Sequence, residues 1–238
     1  MPDQALGNII DHNRETWDSF YSEHSDKRLL YPEAQFLHLL HRYALKSPLK
    51  RGVCVGAGDA PEAFACVRLG MDMTCVDISP TAVTRLNGFA ETDGVADRLR
   101  ALVADQRDLS VLPSDSFDLA ISWSVISYLS EEEAPLAIAE LRRVLKPGGS
   151  FIGILESTES SGFYQKGAQQ VRGRTYRMPA KSSTVRNNVM ITFYTEPDVR
   201  ELLASFEQLA LGLKSFTLPP DLSHRVAQWV FHARKPGS

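Results

Sequence analysis

Residues 52–77 constrain the fold of this chain most, because they combine two apolar runs with a glycine turn and a helix start. The first run ends at Gly56 and Gly58, where a buried strand would break into a tight turn. Pro61 suits the first turn of a following helix, since the N–H that proline lacks has no partner there. The second run closes at Asp77, at the carboxyl end of a second predicted strand. This β-α-β layout is typical of sites for adenosine-containing cofactors, whose ribose hydroxyls donate to the acid.

The turn also narrows the class of cofactor. The dinucleotide fingerprint G-x-G-x-x-G would need a third glycine at position 61, which is occupied by Pro61. A phosphate-binding P-loop is disfavoured, because no Gly-Lys-Ser/Thr follows the turn. Asp77 does not discriminate, since a dinucleotide site carries an acid at a similar distance. A purely structural role for the two glycines stays open on the turn alone. Glu62, in the first helical turn, is expected to meet the positive end of the helix dipole.

Two later strands end at the same predicted edge of the sheet. Residues 98–106 form a predicted third strand that ends in Asp105 and Gln106. An acid beside an amide could meet the amino group and a ring nitrogen of adenine. Residues 117–122 form a predicted fourth strand.

The next elements are bounded by capping and stop signals. Ser130 and Glu133 form a capping box that predicts a helix running to Lys146. The Pro-Gly-Gly at 147–149 is expected to end that helix before a strand at 151–155.

The end of the chain predicts one more helix and two strands. Thr195 is the expected helix cap, with Pro197 in the first turn. Strands are predicted at 206–217 and 226–233. Their short connection favours an antiparallel pair, because a parallel return needs a dozen or more residues.

Five segments, in this order, make the chain similar to a known family. They are Val-Gly-Ala-Gly at 55–58, Val-Asp-Ile-Ser at 76–79, Ala-Asp-Gln at 104–106, Phe-Asp-Leu-Ala at 117–120 and Leu-Arg-Arg-Val-Leu-Lys-Pro-Gly-Gly at 141–149. Over roughly residues 50–155 the chain resembles the class I (Rossmann-like) S-adenosylmethionine-dependent methyltransferases, small-molecule type. The resemblance implies an α/β fold: a doubly wound seven-stranded sheet, mostly parallel with an antiparallel last strand, and helices on both faces. It implies S-adenosyl-L-methionine as cofactor.

The resemblance also assigns roles to residues. The turn would face the methionine part of the cofactor, Asp77 would hold the ribose hydroxyls, and Asp105 and Gln106 would flank the adenine. The full set of implied cofactor-binding residues is Gly56, Ala57, Gly58, Asp77, Ile78, Asp105, Gln106, Ser122, Trp17 and Tyr21.

One position departs from the family pattern. The family usually carries an acid in the first strand, two residues before the first turn glycine, and this chain has Cys54 there. That acid commonly helps to anchor the cofactor's amino group and the loop. Cys54 is expected to be a small buried hydrophobic residue. Asp59, just after the turn, is the candidate for partial compensation.

Residues 1–48 precede the first strand and are predicted to form a helical cap. Aromatic residues at near-helical spacing either pack on the core or close over the cofactor, which would exclude water. Trp17-Asp-Ser-Phe-Tyr21 and Tyr31-Pro32 are similar to a leader element of many small-molecule methyltransferases.

A basic insertion at about 157–195 interrupts the predicted core of residues 49–238 and is expected to be a substrate lid. Six basic residues and one acid, Glu159, give it a formal charge of +5 in a chain of net charge −3. The charge is either a solvated surface or a means to hold an anionic small molecule. The predicted substrate-binding residues are Trp123, Tyr128, Tyr164, Arg172, Arg174 and Arg177.

The reaction expected by resemblance is in-line methyl transfer, with an oxygen acceptor favoured. The segment after the fourth strand, Ser122-Trp-Ser-Val, lacks the Pro-Pro-Tyr of enzymes that methylate DNA bases or glutamine. No catalytic residue is assigned; Tyr164 and His12 are the first candidates to test. The alternatives are an NAD-linked oxidoreductase and a catalytically silent S-adenosylmethionine-binding protein.

Length and composition bound the remaining properties. The 238 residues suit one α/β domain, and the net charge gives no nucleic-acid signature. Three cysteines without a C-x-x-C pair are typical of a reducing cytoplasm, and no run of membrane-spanning length or signal peptide is evident. The six histidines lack metal-ligand spacing, so no metal is expected. The oligomeric state, monomer or dimer, is left open.

Overall fold

The computed structural model describes residues 9–24, 28–46, 48–161, 163, 166–179, 189–217, 222 and 225–237. The helices are α1 (Ile9–Glu23), α2 (Ala34–Leu39), α3 (Pro61–Arg68), α4 (Pro80–Thr92), α5 (Ala134–Val144) and α6 (Glu196–Leu202). The strands are β1 (Arg51–Val55), β2 (Asp72–Asp77), β3 (Leu99–Val103), β4 (Phe117–Trp123), β5 (Leu145–Glu156), β6 (Gln169–Arg172), β7 (Thr175–Arg177), β8 (Met190–Thr192), β9 (Glu207–Thr217) and β10 (Arg225–Arg234). A π-helical turn, Leu40–Ala44, extends α2, and a 3₁₀ turn, Ile126–Tyr128, follows β4.

Seven strands form one sheet in the order β3-β2-β1-β4-β5-β10-β9. The first five are parallel, and β10 runs antiparallel to both β5 and β9. The order reverses between β1 and β4, so the carboxyl ends of these two strands border the crevice where open α/β sheets bind ligands. The predicted fold class is confirmed.

Apolar side chains cover both faces of the sheet. On one face α3 and α4 pack through residues such as Phe64 and Leu86. On the other, α5 and α6 pack through Ile138, Leu141 and Val199. Helices on both faces hold the carboxyl ends of the strands in fixed positions, which a site at that edge requires.

The Pro-Gly-Gly segment does not end a helix, and that expectation was wrong. Helix α5 stops at Val144, and residues 147–149 belong to β5. The reason is pairing with the end of the chain: the Gly148 N–H donates to the Lys235 carbonyl at 2.9 Å, and the Lys235 N–H donates to the Gly149 carbonyl at 2.9 Å. The predicted capping box of Ser130 and Glu133 is confirmed, and so is Thr195 as the cap of α6, where the structure adds a capping box with Asp198.

The described part of the insertion contains a small antiparallel sheet, β6-β7-β8. Its apolar side packs with Trp17 and Tyr128, and the Asn13 side chain of α1 bonds to both backbone groups of Met190. The division of the chain into cap, core and lid stays a prediction. No helix in the described segments is both long enough and apolar enough to cross a membrane.

Candidate functional site

A cavity of about 660 Å³ lies at the carboxyl ends of β1 to β4. This is within the usual size range of small-molecule sites. Its floor is the β1–α3 turn, and α1 with the segment after it forms its cover. The predicted residues that line it are Trp17, Tyr21, Gly56, Ala57, Gly58, Asp77, Ile78, Asp105, Gln106, Trp123 and Tyr128.

The β1–α3 turn requires its glycines. Gly56 and Gly58 have φ of +56° and +52°, in the left-handed region that glycine adopts without strain. A Cβ on Gly56 would clash with the side chain of Val125, and one on Gly58 would clash with the Tyr21 hydroxyl. The Val125 and Tyr21 side chains therefore pack directly against the turn, and the backbone of the turn lines the cavity.

Asp77 ties this turn to β2. Its carboxylate accepts hydrogen bonds from the N–H of Gly58 at 2.9 Å and of Ser79 at 3.0 Å. Burial raises the pKa of Asp77, and these hydrogen bonds oppose the rise. A carboxylate has about four acceptor positions, so about two remain for the two hydroxyls of a ribose.

The two residues predicted for the adenine side differ in what they already bind. Asp105 forms an ion pair with Arg107 at 2.7 Å. Gln106 has a buried Oε1 that accepts no hydrogen bond from any described residue. A buried acceptor of this kind fits an exocyclic amino group. Both side chains line the cavity, and their role at adenine stays a prediction.

Helix α1 covers the cavity with aromatic side chains and is anchored by a contact that the sequence did not reveal. The Asp18 carboxylate accepts from the Ser79 hydroxyl at 2.6 Å and from the Thr81 N–H at 3.1 Å, at the start of α4. The Ser79 hydrogen bond lowers the pKa of Asp18. Trp17 contacts Tyr128 edge to face, with ring centroids 4.9 Å apart.

Other predicted site residues lie away from this cavity. Ser122 is fully buried in the sheet, and neither it nor the partly buried His12 is among the cavity-lining residues. The same holds for the three predicted arginines. Two of them form ion pairs: Arg172 with Glu132 at 3.0 Å, and Arg174 with Asp198 at 2.9 Å and Glu131 at 3.3 Å. Arg177 is exposed. Tyr164 lies outside the described residues.

Sequence reasoning missed the two glutamates of the cavity. Glu62 was expected to act only on the helix dipole, yet its side chain is 6% exposed and lines the cavity together with Glu33. Desolvation raises the pKa of Glu62 to about 7, with Glu33 adding repulsion. The missing acid at Cys54 was the signal that could have prompted a search of the next helical turn for a replacement.

Cys54 itself is buried, as expected, and burial raises the pKa of its thiol well above the ordinary value. Asp59 is committed elsewhere. It pairs with Arg85 at 3.2 Å and accepts from the Leu29 N–H at 2.8 Å, so it joins the segment after α1 to the core.

The residues present fit S-adenosylmethionine. The glycine turn lets the ligand approach the backbone, and Asp77 has acceptor positions for the ribose hydroxyls. The Gln106 Oε1, which has no hydrogen-bond donor among the described residues, suits the adenine amino group. Within the described segments no group of three or more His, Cys, Asp or Glu side chains is placed to hold a metal ion.

Comparison with known proteins agrees with this geometry. Residues 53–153 match the protein family described as "Methyltransferase domain". The sterol 24-C-methyltransferase ERG6B of Gibberella zeae is 30% identical over 137 residues, covering 57% of this chain and 34% of that protein. The tRNA N(3)-cytidine methyltransferase METTL2 of Danio rerio is 28% identical over 159 residues, covering 63% and 42%. The chain thus spans about a third to two fifths of the length of these curated relatives.

A solved structure shows the same fold. It is the 1,6-didemethyltoxoflavin-N1-methyltransferase of Burkholderia thailandensis with bound 1,6-didemethyltoxoflavin and S-adenosylhomocysteine. The TM-score is 0.60 at 18% identity, over 97% of this chain and 87% of that one. With the family match and the cavity, this leads to one conclusion: residues 53–153 match a methyltransferase domain, within a chain that has the fold of a solved methyltransferase.

Proposed function

We propose that this protein is an enzyme that transfers a methyl group from S-adenosylmethionine to a small molecule, with an oxygen acceptor expected. The observation that carries the proposal is the cavity at the β1/β4 edge. It combines the glycine turn, Asp77 and Trp17 with the aromatic side chains of Trp123 and Tyr128 in one covered space. One part suits the adenosine, and the aromatic part suits an acceptor.

The chain's own contribution to the reaction is positioning. S-adenosylmethionine, when bound, supplies an activated methyl group on a sulfonium. Holding an acceptor in line with that methyl group lowers the barrier by up to about 7–11 kcal/mol in ideal systems. The aromatic side chains of α1 exclude water from the reacting atoms. We assign no general base, and a base is needed only where the acceptor arrives protonated.

The anionic class of the acceptor is supported by the charge of the insertion. The described arginines that line the cavity do not add to this support, because none of them is unpaired. Each of these arginines is in an ion pair: Arg14 with Asp11, Arg28 with Asp93 and Arg85 with Asp59. The exposed Arg177 is the described arginine of the insertion left to attract an anion. We also place the protein in the cytoplasm, in view of three buried free cysteines.

A catalytically silent S-adenosylmethionine-binding protein is the second candidate. It is favoured by Cys54, which stands where the family usually has an acid. The NAD-linked alternative is dropped, because the domain family and the β1–α3 turn both indicate S-adenosylmethionine.

The test has two stages. Calorimetry with S-adenosylmethionine, S-adenosylhomocysteine and NAD should show binding of the first two only. Formation of S-adenosylhomocysteine is then measured with a panel of carboxylates, sugar phosphates, phenols and amines. Turnover with an anionic hydroxyl compound supports the proposal; cofactor binding with no turnover on any acceptor class supports the silent protein instead.

A further inference from the structure

Five carboxyl groups line the cavity, and they differ in what neutralises them. Three are paired with cations: Glu33 with Lys214, Asp59 with Arg85 and Asp105 with Arg107. The other two, Asp77 and Glu62, form no ion pair with any described residue. A buried carboxylate without a cation is costly, so these two are the groups most stabilised by donors from a ligand.

The two unpaired acids both adjoin the β1–α3 turn. Asp77 is at the end of β2 and has acceptor positions suited to neutral hydroxyls. Glu62 is in the first turn of α3, immediately after the turn. Its side chain is buried and lines the cavity, so its carboxylate oxygens can accept hydrogen bonds from a ligand there.

Glu62 also lines the cavity next to the turn that follows Cys54. The lining residues include Gly56, Ala57 and Gly58 of that turn together with Glu62, so α3 brings a carboxylate to the cavity beside this turn. The negative charge of Glu62 also contributes to the raised pKa of the Cys54 thiol. Neither Asp59 nor Glu33 can do this freely, because Arg85 and Lys214 already hold them.

We propose that Glu62 is the carboxylate that binds the α-ammonium group of the cofactor's methionine part, in place of the strand acid replaced by Cys54. The inference rests on the proposed function, since it takes S-adenosylmethionine as the ligand. An ammonium group donates charge-assisted hydrogen bonds to a carboxylate and neutralises it. The chain thus keeps its anchor for the amino group and moves it from β1 to α3.

Two ligands separate this role from a general one. S-adenosylhomocysteine carries the ammonium group, whereas 5′-methylthioadenosine shares the adenosine and lacks the amino acid. We expect Glu62→Gln to weaken S-adenosylhomocysteine binding about tenfold to a hundredfold, the range for one charge-assisted hydrogen-bonded pair, and to leave 5′-methylthioadenosine binding within about twofold. The matched variant Asp77→Asn should weaken both ligands. Calorimetry measures the six affinities, of both ligands for both variants and for the unmodified protein.

A swap of the acid gives a second readout. Cys54→Asp in the Glu62→Gln background should restore most of the lost affinity for S-adenosylhomocysteine. If that double variant fails to fold, the two-ligand comparison still decides. Equal weakening of both ligands by Glu62→Gln, or no weakening of either, overturns the role of Glu62 while the proposed function stands. Failure of the unmodified protein to bind S-adenosylhomocysteine at all overturns both.

Discussion

The cofactor side of the molecule and the insertion use their charged residues in opposite ways. On the cofactor side, Asp77 and Glu62 line the cavity and pair with no cation among the residues that the structure describes. In the insertion, Arg172 and Arg174 are held by acids of the loop before α5 and of α6. Part of the formal charge of +5 in the sequence is therefore not available to a ligand. The charges that form ion pairs within the fold have to be subtracted from the formal charge of a segment before that segment is assigned a charged ligand.

The largest effect should come from the turn on the cofactor side. Gly56→Ala is expected to destabilise the protein by about 2–5 kcal/mol, because it adds the left-handed backbone cost to a clash with Val125. Gly94→Ala is the control, since Gly94 has φ of +68° but no atom near its added Cβ. Chemical denaturation measures both. Equal losses would show that the contact with Val125 contributes nothing.

The last residue before the insertion, Glu156, provides a partly buried acid outside the cavity lining. Desolvation raises the pKa of Glu156 to about 7; Gln228 donates to it at 2.7 Å, Lys214 favours its charge, and Glu33 opposes it. The folded state therefore binds a proton between pH 4.5 and about 7 that the unfolded state has lost, so this group lowers stability as pH rises through that window.

Glu156→Gln should remove this dependence. At pH 8 the variant is expected to be more stable than the unmodified protein by on the order of 3 kcal/mol, and at pH 4 the two should be equal. Denaturant unfolding at both pH values measures the difference. A variant that is less stable at pH 8 would mean that the ionised carboxylate and Lys214 stabilise each other.

Asp77 tests the cofactor side directly. Asp77→Ala should weaken S-adenosylmethionine binding by about 1.5–3 kcal/mol, the range for hydrogen bonds with a charged partner. The loss has two sources: the ribose contacts, and the hydrogen bonds that hold Gly58 and Ser79. Calorimetry measures it, with circular dichroism as the folding control. Unchanged affinity in a folded variant would contradict the ribose assignment.

The smallest effects belong to the insertion. Neutralising Arg172, Arg174 and Arg177 together is expected to raise the KM for an anionic acceptor several-fold and to spare cofactor affinity. Arg177→Gln alone should give most of that rise, because the other two charges are already paired. The double variant of Arg172 and Arg174 should instead cost about 0.5–1 kcal/mol of stability. Steady-state kinetics and denaturation separate these outcomes.

Equal losses of acceptor and cofactor affinity in the triple variant would contradict a role in substrate recognition. A KM rise that needs Arg174 rather than Arg177 would show that the ion pairs with Glu131 and Asp198 open when the acceptor binds. Either result would weaken the contrast drawn above between the charged residues of the insertion and those of the cofactor side.

Local patterns made much of the fold predictable. The glycine turn, the proline at the start of α3, the capping box at Ser130 and the Thr195 cap depend on contacts within a few residues, which a sequence displays directly. The end of α5 was misjudged for the opposite reason. Whether residues 147–149 stop a helix or join a strand depends on Lys235, almost ninety residues away, whose backbone pairs with them.

The sequence by itself determined the order of the core strands, the glycine turn and the position of Asp77 at the end of β2, since hydrophobic periodicity and glycine placement act locally. The tertiary structure decided which charges remain for ligands. Glu62 and Asp59 are acids of the same short segment and both line the cavity, and only packing pairs Asp59 with Arg85 while Glu62 pairs with no described cation. Ion pairs of this kind join residues far apart in the chain, and their formation depends on distances that no local pattern encodes.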